Sequence, residues 1–148
     1  MTPELSLQQV NIKARTIGLL ALAFLAVFCV SPPARAENPC SGVDRSLNKK
    51  AASAIAPVVA KQLGAEHAEI SQSFLYRGWS VFYASTGDAD DTYVFYSGDP
   101  LRDKYVTLWG GAATQDEEPE ILHWILKNAP GIPLPLARCF AWHVTKEP

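Results

Sequence analysis

Cysteine is scarce in this sequence, with three residues in 148, and no two of them are spaced as C-x-x-C. That spacing excludes a thioredoxin-like redox pair and the common zinc-finger ligand sets. The three histidines, His67, His123 and His143, lack the i, i+4 spacing of a metal-binding helix, and the chain has no G-x-S-x-G motif. We therefore expect no metal, no cofactor and no recognisable catalytic motif.

A long hydrophobic run is also missing, because the longest one, residues 17–30, has 14 residues. A helix that spans a bilayer needs about 20 residues. Lys13 and Arg15 precede the run, Ser31-Pro32-Pro33 ends it, and a small-x-small triplet follows at 34–36. This order is typical of a secretory signal peptide. We predict that residues 1–36 are cleaved and that the protein is exported, to the periplasm or the medium.

Two alternatives to this interpretation of the N-terminus remain open. The apolar run could stay attached as an uncleaved anchor, although small residues before Glu37 favour cleavage. Cys29 could be lipidated, but the bulky Phe28 precedes it, where lipoprotein processing usually requires a small residue.

The predicted mature chain, residues 37–148, has the length of one domain. It contains two cysteines, Cys40 and Cys139, which export to an oxidising compartment would allow to pair. It carries 10 Lys and Arg against 14 Asp and Glu, a net charge of −4. This charge argues against nucleic acid or an anionic membrane surface as a partner.

The hydrophobic periodicity predicts an α+β fold. The spacing changes from helical to alternating at Glu69 and returns to helical after Gly110-Gly111. Between these points Arg77-Gly78 marks a hairpin turn, and short connections favour an antiparallel meander. The helices are expected at 44–63 and 114–128, the strands at about 69–76, 79–84, 92–97 and 104–109, and 136–144 is ambiguous. We predict a four-stranded antiparallel sheet with both helices on one face and the termini joined by Cys40–Cys139.

Aromatic residues are concentrated in the predicted sheet. If Arg77-Gly78 is the turn, one face carries Ile70, Phe74, Trp79 and Val81, and Phe82 lies on the other. Two helices on one side cover one face only, so the second face is either exposed or covered by the C-terminal segment. Exposed aromatic residues with a polar rim are typical of binding sites. The binding hypothesis names Phe82, Tyr96, Asp99 and Arg102; the alternative is an ordinary packed core.

The function expected from these features is that of a small exported non-catalytic binding or accessory protein, with an inhibitor among the options. Its partner would be a protein, a peptide or a glycan. One alternative is a small exported hydrolase that uses a histidine and a carboxylate, which would require a deep pocket joining these groups. Another is a homodimer with the uncovered sheet face as its interface.

The export and pairing hypotheses are tested together by the intact mass of the exported protein. We expect a chain that begins at Glu37 and weighs two hydrogen atoms less than the fully reduced form, because Cys40 and Cys139 are joined. A lipid-bearing chain that begins at Cys29, or two titratable thiols, would contradict the prediction.

Overall fold

The fold is an α+β arrangement of three helices and one sheet, in a computed structural model that describes residues 38–87 and 89–146. The predicted signal peptide, its cleavage site and Cys29 lie outside these residues. The described part belongs to one compact unit, Arg35–Pro148. In chain order the elements are α1 (Lys49–Leu63), β1 (Glu69–Tyr76), β2 (Trp79–Ser85), β3 (Thr92–Ser97), β4 (Thr107–Gly110), α2 (Glu118–Asn128) and α3 (Leu134–Lys146).

Helix α1 begins five residues later than the sequence predicts. Asp44 does not cap the helix, because its backbone forms a bridge with Leu75 of β1 instead. The helix starts after Asn48, whose side chain accepts hydrogen bonds from the amides of Lys50 and Ala51. It continues through Pro57 and ends at Gly64, in the left-handed conformation that favours glycine.

The four strands form an antiparallel meander in the order β1-β2-β3-β4, which confirms the predicted topology. The turn between β1 and β2 is Arg77-Gly78, with φ values of +46° and +81°. Two consecutive positive φ angles are the requirement of a type I′ hairpin turn. The turn pairs Tyr76 with Trp79 and thereby sets the register of the hairpin.

A register shift between Ile70 and Gln72 moves Ile70 to the opposite face from the one expected. An extra residue in one strand reverses the alternation of side chains beyond it. Phe74 and Val81 therefore remain together in one buried cluster, while Ile70 joins Phe82 in the other.

The helices flank the sheet, but they do not lie on one face as expected. Helix α1 packs through Ile55 and Val59 on the face that carries Phe82. Helices α2 and α3 pack on the face that carries Phe74. For the second face we expected either exposure or cover by the C-terminal segment; instead α1 covers it, because apolar groups on both faces of the sheet favour a helix on each side.

The ambiguous segment 136–144 belongs to α3, which is the most buried helix of the described chain. Phe140 has no exposed surface, and its ring centroid lies 4.9 Å from those of both Tyr93 and Phe95. Cys139, on the same helix, forms the predicted disulfide with Cys40, 99 residues away. Closing a loop of this length lowers the entropy of the unfolded chain and adds about 4–5 kcal/mol to the free energy of unfolding.

Two tyrosines of β3 make the free energy of unfolding depend on pH in the alkaline range. Burial raises the pKa of Tyr93 and of Tyr96 to about 12, above the ordinary value of 10. Between about pH 10 and pH 12 the unfolded chain therefore binds fewer protons than the folded chain, so the free energy of unfolding falls as the pH rises.

Urea unfolding at a series of pH values measures how steeply the free energy of unfolding falls. We expect a flatter slope for the double variant Tyr93→Phe/Tyr96→Phe; an identical slope in both proteins would contradict it.

Candidate functional site

An apolar cavity of about 400 Å³ opens between the first half of α1 and the β1–β2 hairpin. We call it the hairpin trough. Its apolar lining comes from the helix, from the hairpin and from the turn after β3: Leu47, Ala51, Ala52, Ile55, Leu75, Tyr76, Trp79, Phe82 and Pro100. Its polar lining consists of Ser46, Asn48, Ser73, Arg77 and Ser80, with backbone at Gly78 and Gly98.

The trough is open because α1 covers the Phe82 face incompletely. The middle of the helix fills its share of that face with Ile55 and Val59. The first half presents the small side chains of Ala51 and Ala52, which do not reach the hairpin end of the sheet. Leu75, on the rim, keeps 37% of its surface exposed.

Two serines in the trough differ in their hydrogen bonding. Ser73 Oγ donates to the carbonyl of Ser46 at 3.2 Å. Ser80 is 5% exposed, and its Oγ is buried. Among the described residues, this oxygen has no hydrogen-bond partner. Its cross-strand neighbours, Leu75 and Tyr96, flank it with apolar surface. A buried hydroxyl without a partner costs about 1–3 kcal/mol.

The structure brings Phe82 into the trough but buries Tyr96 beside it. Phe82 is 4% exposed and contributes to the lining, with its ring 6.1 Å from that of Tyr96. Tyr96 has no exposed surface, and its hydroxyl donates to Gln62 Oε1 of α1 at 3.1 Å. The two aromatic residues therefore do not form the exposed surface that the sequence suggested. Whether Phe82 contacts a ligand from the floor of the trough stays a prediction.

Asp99 and Arg102 lie outside the trough and pair with each other. Arg102 Nε is 3.3 Å from Asp99 Oδ2, and both side chains are well exposed. Arg102 lines a second groove, of about 840 Å³, between α1 and the β3–β4 loop. Its lining includes the long flexible side chains of Lys61 and Lys104. An exposed pair of this kind contributes little to stability, which agrees with a local turn.

Of the three histidines, His143 alone lines one of the cavities formed by the described residues. His67 and His123 are exposed. His143 is 4% exposed; its Nδ1 accepts from Arg45 at 3.2 Å, and its Nε2 donates to Gln72 Oε1 at 2.8 Å. Since a guanidinium only donates hydrogen bonds, Nδ1 is the acceptor in its contact with Arg45. Among the described residues, the cavity beside it is lined by Arg45, Leu47, Ser71, Gln72, Ser73, Phe74 and His143, with no aspartate or glutamate.

Two residues of the trough were not singled out as site residues from the sequence. Ser80 was hidden because a serine inside an alternating strand looks like an ordinary outward-facing residue. Arg77 was assigned to the turn, although arginine occupies a position that type I′ turns usually give to Asn, Asp or Gly. A polar residue between Trp79 and Val81 and an unusual turn residue were the available signals.

Within residues 38–87 and 89–146, no group of three His, Cys, Asp or Glu side chains is placed to hold a metal ion. No helix there is both long enough and apolar enough to cross a membrane.

The two serines of the trough give a matched pair of variants. Ser73→Ala removes a formed hydrogen bond, so we expect the free energy of unfolding to fall by about 1 kcal/mol. Ser80→Ala removes a hydroxyl that has no partner, so we expect stability to be unchanged or to rise. Urea unfolding compares the two. A loss for Ser80→Ala as large as that for Ser73→Ala would mean that its Oγ is satisfied in the folded protein.

Comparison with known proteins leaves the interpretation to this geometry. No protein-family model matches the chain, and neither a curated protein nor a solved structure is significantly similar to it.

Proposed function

We propose that this chain is a small exported binding protein, without catalytic activity, and that the hairpin trough holds the apolar part of its ligand. The observation that carries the proposal is the unfilled apolar cavity between α1 and the hairpin. Folding alone would favour filling such a space. An apolar ligand that enters the trough fills it.

The shape and lining of the trough favour some ligands over others. Sugar-binding surfaces expose the flat faces of aromatic rings, whereas Phe82 and Trp79 are 4% and 9% exposed. The volume of about 400 Å³ lies in the range of small-molecule sites. A compact apolar group therefore suits the trough better than a glycan chain.

Export is part of the proposal, and two features support it. The N-terminal sequence has the order of a signal peptide, and the structure contains the Cys40–Cys139 disulfide. Disulfides form and persist in oxidising compartments. An accessory or inhibitory role outside the cytoplasm is consistent with a small binding domain.

A pair of variants on α1 tests whether the trough binds. Ala51 lines the trough and is exposed, so the indole of Ala51→Trp can occupy the space without disturbing the core. Ala54 is equally exposed and does not line the trough, so Ala54→Trp is the matched control. The probe is N-phenyl-1-naphthylamine, an uncharged dye that fluoresces in apolar sites.

We expect the dye to bind the wild-type protein and Ala54→Trp alike, and to bind Ala51→Trp at least about tenfold more weakly, a difference of about 1.4 kcal/mol. Fluorescence titration gives the three dissociation constants. The proposal fails if the dye does not bind the wild-type protein, or if it binds all three proteins equally. Thermal unfolding confirms that each variant is folded.

A further inference from the structure

We infer that the ligand of the hairpin trough is an anionic amphiphile, a small molecule with a hydrocarbon tail and a negatively charged head group. The tail lies in the apolar trough against Ile55 and Phe82, and the head group is bound at the mouth by Arg77. This inference rests on the proposed function and adds the chemical class of the ligand.

Arg77 supplies the charge that selects an anion. It is the one charged side chain among the described residues that line the trough. Its guanidinium carbon lies 5.4 Å from the centroid of the Tyr76 ring, in a cation–π contact at the hairpin turn. Arg77 is exposed and its side chain is long, so it can turn from the Tyr76 ring towards an anion at the opening.

The backbone of Arg77 is in a conformation that arginine rarely adopts. Among the described residues, it is the one non-glycine residue with a positive φ, +46°. A side chain with a Cβ atom is unfavourable in this region, and type I′ turns prefer Asn or Gly at this position. The fold therefore carries a strained arginine where asparagine would be easier, which points to a role for the side chain.

The start of α1 adds positive potential at the same opening. Asn48 and Ala51, at the N-terminal end of the helix, line the trough. The first turn contains Lys49 and Lys50 and no acidic residue, the reverse of the usual preference, since the helix dipole is positive at this end. A carboxylate also lies next to the trough, that of Asp44, but its Oδ1 already accepts from the Ser46 amide and hydroxyl at 2.8 and 2.6 Å.

A peptide is a less suitable occupant, because the sheet edge beside the trough is already paired. Leu75 donates its amide to the Asp44 carbonyl at 2.8 Å and accepts from the Asp44 amide at 3.0 Å. An incoming strand therefore finds no free backbone groups at Leu75 with which to extend the sheet. The small volume of the trough agrees with a small ligand.

Three probes with the same tail separate the effect of charge from that of the tail: decanoate, decanol and decyltrimethylammonium. Each is used below its critical micelle concentration to displace N-phenyl-1-naphthylamine from the protein. The protein is purified after expression of the full-length gene, in the form that the cell exports. We expect decanoate to displace the dye at a concentration at least about tenfold lower than the other two. In Arg77→Gln this preference should disappear, and in Arg138→Gln, an exposed arginine on α3, it should remain.

Arg77→Asn provides a second, independent measurement. Because asparagine tolerates the left-handed conformation, we expect this variant to unfold at a higher urea concentration than the wild-type protein, while it loses the preference for decanoate. A residue with only a structural role would not change stability and binding in opposite directions.

The results distinguish the inference from the proposed function. If the dye binds in the trough, as judged by Ala51→Trp, but decanoate has no advantage or keeps it in Arg77→Gln, the inference is wrong and the proposed function stands. If the dye does not bind in the trough at all, both are wrong. Binding of a short acidic peptide at the trough, in place of decanoate, would also overturn the inference.

Discussion

The central constraint on this fold is that both faces of its sheet are apolar. In β2, Trp79, Val81 and Tyr83 alternate with Phe82 and Ala84. Helices on one face alone would therefore leave the apolar side chains of the other face exposed to solvent. Two helices, α2 and α3, cover the first face, and α1 alone covers the second. A helix is about 10 Å wide, while four strands spaced about 4.8 Å apart extend further, so one helix leaves part of its face open. The hairpin trough is this uncovered part, and the small alanines at the start of α1 enlarge it.

The local signals in the sequence were strong enough to predict the meander. The Arg77-Gly78 turn and the short connections define the antiparallel order, and the two cysteines of the described chain form the expected disulfide. These features depend on neighbouring residues or on the chemistry of a single pair. The side of the sheet on which α1 packs depends on which face buries more apolar area when the helix packs against it. Alternation alone does not contain that information.

Two further differences have local physical causes. The extra residue between Ile70 and Gln72 reverses the alternation of side chains in β1, and residues 70–72 contain no sequence signal that predicts a bulge. Segment 136–144 is almost entirely apolar on several sides, because α3 is buried between α2 and the sheet, so it lacks the one-sided pattern that identifies a surface helix. In the candidate site, the sequence placed Phe82 on the correct face. It could not show that Phe82 would form the floor of a cavity rather than an exposed surface.

The hydrogen bonds of Gln62 anchor the C-terminal end of α1. The Gln62 side-chain amide accepts from Tyr96 and from the Tyr105 amide and donates to the Asp103 carbonyl, at 3.0–3.1 Å. Just before the other end of the helix, Asp44 and Ser46 are hydrogen-bonded to Leu75 and Ser73 of β1. The trough therefore lies between two fixed attachments of α1 to the sheet, and its width is set by the fold before any ligand arrives.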